Sequence, residues 1–130
     1  MNKRKNETIV AGETDRAPLA LFPLGEVVIT AGALAALAER WPIAAAADDP
    51  SVLAEAVAGE IAAALTRHQT GDWYEDDKAA NAGAIEHHVR ILTQHVAYAP
   101  AGYRHLRDER YWIMTDADRS VTTVLLPEEY

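Results

Sequence analysis

The stretch that most restricts the fold is the last twenty residues, YWIMTDADRSVTTVLLPEEY. Tyr111 to Thr115 and Val121 to Leu126 are rich in β-branched, aromatic and aliphatic side chains. Asp116-Ala117-Asp118-Arg119-Ser120 between them supplies turn chemistry, so the segment predicts a β-hairpin. Pro127 ends the second strand because it lacks the N–H that a ladder needs.

Upstream, the pattern turns helical. Asp49-Pro50 predicts a helix start, with Asp as N-cap and Pro at the first helical position. Leu53, Val57, Ile61, Leu65 and His68 follow at spacings that place them on one face, and Gly71 is the expected stop. Before this helix, Glu26 to Thr30 reads as a short strand. Thr30 caps a helix whose apolar face is Leu34, Leu37, Ala38 and Trp41, and Pro42 ends it. After Gly71, Glu75-Asp76-Asp77 puts negative charge at the front of a third helix, with Ala80, Ala84, His88 and Leu92 towards the core. Ile91 to Tyr98 then alternates as a strand, with Ile91, Thr93, His95 and Ala97 on one side.

These elements predict an α+β fold: two to three helices packed on a three- to four-stranded antiparallel sheet that ends in the C-terminal hairpin. Residues 1–17 mix polar and charged types and predict a flexible tail, which leaves 18–130 as a single domain. The edge strand Ile91 to Tyr98 could also pair with a second copy.

Composition removes several function classes. The chain has no cysteine, so disulfides, thiolate zinc ligands and a cysteine nucleophile are excluded. The basic start MNKRKNETIV has no apolar core behind it and is not read as a signal peptide, and no stretch is apolar enough to span a membrane. A cytoplasmic location is therefore expected. Twenty acidic residues against twelve basic ones give a net charge of −8, which disfavours a nucleic-acid partner outside a local basic patch. Arg90, Arg104, Arg107 and Arg110 form the locally basic region, around the segment Ala99 to Arg110.

Three constellations could carry chemistry. His68, Asp72 and Trp73 meet at one helix-to-loop junction, where a carboxylate could orient a histidine base. The plainer reading has His68 closing the core stripe and Trp73 filling the gap beside it. His87-His88 and His95 lack metal-ligand spacing, so no metal and no cofactor is expected. Arg90, Arg119, Thr115, Thr122 and Thr123 could share a sheet face. With His68 they are similar in kind to the small metal-independent ribonucleases of the barnase and RelE type, in which an arginine steadies developing phosphorane charge.

PLGEVVITAGALAAL, RHQTGDW and WIMTDADRSVTTVLLPEEY together resemble a small family of plasmid- and integrated-element-borne proteins, sometimes labelled plasmid-related or as a type I restriction enzyme subunit. The resemblance covers about Leu21 to Leu37 and His68 to Tyr130, and departs at Tyr74, at Gln94 and in the segment Ala99 to Asp108. A chain of 130 residues with no glycine-rich cofactor loop is not expected to act as a methyltransferase. The resemblance implies a mobile-element accessory protein that acts by binding a host- or element-encoded protein, in counter-defence or plasmid maintenance. The ribonuclease-like enzyme, with His68, Arg90, Arg119 and Thr122 as catalytic residues, is the alternative. Asp72, Trp73, Thr115 and Thr123 would then line the binding surface.

Overall fold

The computed structural model describes residues 19–39, 50–98 and 108–130. The expected tail, the helix end at Trp41 and Pro42, the cap at Asp49 and the enlarged loop up to Arg107 lie outside these residues.

The C-terminal hairpin is present as β3 (Glu109–Thr115) and β4 (Val121–Leu125), with Ile113 opposite Val124 and Thr115 opposite Thr122. Its turn is closed by the Asp116 N–H on the Val121 carbonyl at 3.0 Å, and the Asp118 carboxylate accepts from the Ser120 N–H and hydroxyl at 3.0 and 2.6 Å. Arg119 takes the left-handed conformation, φ 62°, that the reversal requires.

β2 (Ile91–Ala97) pairs antiparallel with β3. Its buried side chains are Ile91, Thr93, His95 and Ala97, the alternation expected. β1 (Glu26–Ile29) lies on the other edge, and here the expectation of a purely antiparallel sheet is corrected: β1 runs parallel to β4, in the order β1-β4-β3-β2. The reason is topological. Helices carry the chain from β1 to the far edge, so β2 runs the same way as β1, and two antiparallel steps return β4 in that direction.

Two helices cover one face. α1 (Ala31–Ala38) begins at Thr30, whose Oγ1 accepts from the Ala33 N–H at 3.0 Å and donates to Glu129 at 2.7 Å. Ala33 and Leu37 are its buried residues, whereas Leu34 is exposed, because the eight-residue helix offers only a narrow stripe to the sheet. α2 (Pro50–Thr70) buries Val57, Ile61, Ala64 and His68. It ends on Gly71 at φ 87°, and the Asp72 N–H reaches back to the Arg67 carbonyl at 3.2 Å, a Schellman closure. Tyr111, Ile113 and Val124 meet these helices from the sheet.

α3 (Glu75–His87) departs from the expected core face. Its buried residues are Asp77, Asn81 and Ala84, while Ala80 and His88 are exposed. The helix lies along the β2 edge, and its side chains take the place of a neighbouring strand. Asn81 Nδ2 donates to the Leu92 carbonyl at 2.9 Å, its Oδ1 accepts from the Leu92 N–H at 3.3 Å, and Asp77 accepts from the Gln94 N–H at 3.1 Å. Backbone groups that a second copy would have used at Leu92 and Gln94 are thus occupied. Among the described residues no helix is long and apolar enough to cross a membrane.

Gly25, at φ 66°, brings the chain onto the hairpin turn, where a Cβ would collide with the Arg119 and Ser120 carbonyls. Gly25→Ala should therefore lower unfolding stability by ~3 kcal/mol in chemical denaturation. Gly59→Ala, mid-helix with open space around the new methyl, should raise it by about 0.5–1 kcal/mol.

Candidate functional site

The centre of the molecule is polar. His68 is fully buried between α2 and the sheet, with Nδ1 2.6 Å from Thr93 Oγ1 and Nε2 2.8 Å from Thr115 Oγ1. Thr115 Oγ1 lies 2.7 Å from Thr122 Oγ1, which donates to the Leu24 carbonyl at 2.6 Å. At the other end Thr93 Oγ1 lies 2.7 Å from His95 Nε2.

The chemistry of the groups fixes the direction of this chain. A carbonyl only accepts, so the single Thr122 hydroxyl proton goes to Leu24 and Thr122 must accept from Thr115. Thr115, its proton spent, accepts from His68 Nε2–H. Burial pushes the His68 pKa down to about 4, so the ring is neutral and its bare Nδ1 accepts from Thr93. Thr93 in turn accepts from His95 Nε2–H. Both histidines are thereby held as the Nε2–H tautomer, and His95 Nδ1 is left as an acceptor. The His95 pKa is likewise lowered to about 3, by burial first and then by the nearby Arg67 and His68.

His95 stacks on Tyr111 with ring centres 5.5 Å apart, and the Tyr111 hydroxyl donates to Glu60 at 2.5 Å. Burial and then the Glu60 carboxylate push the Tyr111 pKa well above its ordinary value. His95 and Glu60 lie in the wall of a cavity of about 440 Å³ together with Arg67, Asp72, Trp73 and Tyr74. Gln94 and Val96 of the outer side of β2, and Tyr98 just beyond it, also line it, and a second hollow continues past Tyr74 and Tyr98 to Arg110.

Of the residues singled out from the sequence, His68, Thr115 and Thr122 come together in the buried chain. Asp72 and Trp73 stand in the cavity wall, and Trp73 Nε1 donates to the His68 carbonyl at 2.9 Å. The two arginines lie elsewhere. Arg119 donates to the Val89, Asp116 and Ala84 carbonyls at 2.8, 3.1 and 3.2 Å, closing the end of α3, where His88 is left-handed. It meets these backbone carbonyls rather than the turn carboxylates of Asp116 or Asp118. Arg90 sits over the Tyr130 ring at 5.3 Å, and Thr123, opposite Met114, is on the sheet face away from His68.

His95, Thr93, Tyr111, Glu60 and Arg67 are site residues that sequence reasoning missed. A signal was present: Thr93 and His95 interrupt an apolar strand face, and Glu60 and Arg67 stand seven apart, immediately before the stripe positions Ile61 and His68. Among the described residues no three His, Cys, Asp or Glu side chains gather as a metal site.

Fold and site together define an α+β protein with a helix-covered mixed sheet, a buried imidazole–hydroxyl core and an aromatic-walled cleft along one sheet edge. Comparisons with protein-family models, with curated proteins and with solved structures give no match.

Thr115→Val should strand the His68 Nε2–H and cost about 1–3 kcal/mol in denaturant unfolding, against within ~0.5 kcal/mol for Thr123→Val. The pH dependence follows from the lowered pKa of His68. Its neutral form is favoured in the fold, so this stability is complete above pH 6.5 and is lost as pH falls towards 4. Loss of on the order of 3 kcal/mol from this histidine is expected across that window in urea titrations, and a flat profile from pH 7 to 4 would contradict it.

Proposed function

We propose that the protein is a mobile-element accessory protein that works by binding another protein through the cleft beside β2, in counter-defence or plasmid maintenance. The observation that carries the binding reading is the disposition of the reactive groups. Both His68 nitrogens are bonded to buried hydroxyls, and Arg90 and Arg119 are engaged elsewhere, so the groups a ribonuclease would bring to one phosphate do not share an open site. The cleft supports the same reading. Tyr74 is 47% and Tyr98 69% exposed, beside the half-buried Trp73, and tyrosine, tryptophan and arginine are the types that anchor protein interfaces. Arg67 and Arg110 stand among Glu60, Asp72, Glu75 and Asp76, a mixed-charge rim that selects a partner by pairing rather than by a single-sign field. The mobile-element setting rests on the PLGEVVITAGALAAL, RHQTGDW and LLPEEY resemblance.

The test is affinity capture from nuclease-treated lysate of a plasmid-bearing host, with Tyr74→Ala/Tyr98→Ala as the paired variant. One defined protein retained by the wild type and reduced at least tenfold by the double variant, with unchanged melting, is the expected outcome. Cleavage of RNA by the purified wild type that His68→Ala abolishes would instead support the ribonuclease-like enzyme.

A further inference from the structure

We infer that the inner end of the cleft is a receptor for a carboxylate with an adjacent N–H donor, the group presented by the C-terminal residue of a peptide or by a free amino acid. The inference rests on the protein-binding reading of the cleft and names what that site grips.

Among the described residues, two groups in the cavity are left without a partner. His95 is 3% exposed, and its Nε2–H is committed to Thr93 by the direction of the buried chain. Nδ1 makes no hydrogen bond among the described residues, which is costly for a buried acceptor unless a donor arrives. The Arg67 guanidinium, half-buried in the same wall, makes no hydrogen bond or ion pair among the described residues. A ligand that satisfies both must offer a donor to a histidine nitrogen and, next to it, oxygens to a guanidinium.

Charge narrows the class. Glu60 and Asp72 line the same cavity, so a doubly charged phosphate would meet two carboxylates with roughly twice the repulsion felt by a single carboxylate, and a simple cation would meet Arg67. A single carboxylate pairs with Arg67 in bidentate fashion, while the neighbouring N–H turns to His95. The side chain of that residue would then lie against Trp73, Val96 and Tyr98. At about 440 Å³ the cavity suits a residue or two of peptide rather than a folded surface.

Calorimetric titration of the full chain with N-acetylated tetrapeptides, the same peptides amidated at the C-terminus, and free amino acids tests this. Binding by the free-acid peptides, lost at least tenfold on amidation and in Arg67→Gln, is expected. In the wild type, binding should also move the ¹⁵N resonance of His95 Nδ1, a readout independent of whether any variant folds. Binding by free amino acids alone would support the same receptor with a small-molecule source. Equal binding of acid and amide, a binding peptide that leaves the His95 resonance unmoved, or no binding by any probe at millimolar concentration would overturn the inference. The cleft reading fails separately. A protein captured by Arg67→Gln as by wild type but lost by Tyr74→Ala/Tyr98→Ala keeps the binding function and removes the carboxylate receptor. Capture indifferent to the tyrosines removes the former.

Discussion

The structure depends on a buried, one-directional chain of hydrogen bonds that runs from His95 through Thr93, His68, Thr115 and Thr122 to the Leu24 carbonyl. It crosses every layer: β2, α2, β3, β4 and the segment that leads into β1. Two imidazoles in an interior are unfavourable unless each polar atom finds a partner, and here a single terminal carbonyl dictates which atom donates at every link. Apolar contacts among Leu37, Ile61, Ile113 and Val124 supply bulk burial around it. The polar chain fixes register, because sliding β3 against β4 by one residue would put Thr115 and Thr122 on opposite faces of the sheet.

The same economy of side chains acts at the margins. Asn81 and Asp77 complete the β2 edge, and Arg119 completes the end of α3 while its guanidinium lies 5.7 Å from the centre of the Phe22 ring. Phe22 in turn stands edge-on to His68 with ring centres 5.2 Å apart. The α3 junction, the hairpin turn and the buried chain are therefore joined by direct contacts, and the cleft beside β2 is built against them. Among the described residues, His95 Nδ1 and the Arg67 guanidinium in that cleft have no hydrogen-bond partner, which connects the stability of the core to the chemistry of the surface.

Much of the architecture was legible because it is local. The hairpin, the Thr30 cap, the stripe from Leu53 to His68, the Gly71 stop and the alternation of Ile91 to Ala97 each follow from residues within a turn or two of one another. The parallel pairing of β1 with β4 was not, because Glu26 and Val121 are brought together only by the path of the intervening helices. Nor was the inner face of α3, where apolar spacing pointed to Ala80 and His88 but edge satisfaction selected Asp77 and Asn81. The role of Arg119 was hidden for a related reason: its acceptors are backbone carbonyls, which sequence does not mark. His68 was visible as a stripe residue, yet its partner Thr93 and the second buried histidine, His95, are set by three-dimensional register.

The most direct measurement of the direction of the buried chain is a long-range ¹H–¹⁵N correlation spectrum of the imidazole rings at about pH 7. His68 and His95 should both appear as neutral Nε2–H tautomers with slowly exchanging protons, His68 Nδ1 shifted by the Thr93 bond and His95 Nδ1 near the position of an unbonded nitrogen. An Nδ1–H tautomer or a charged ring at His68, or fast averaging between tautomers, would contradict it.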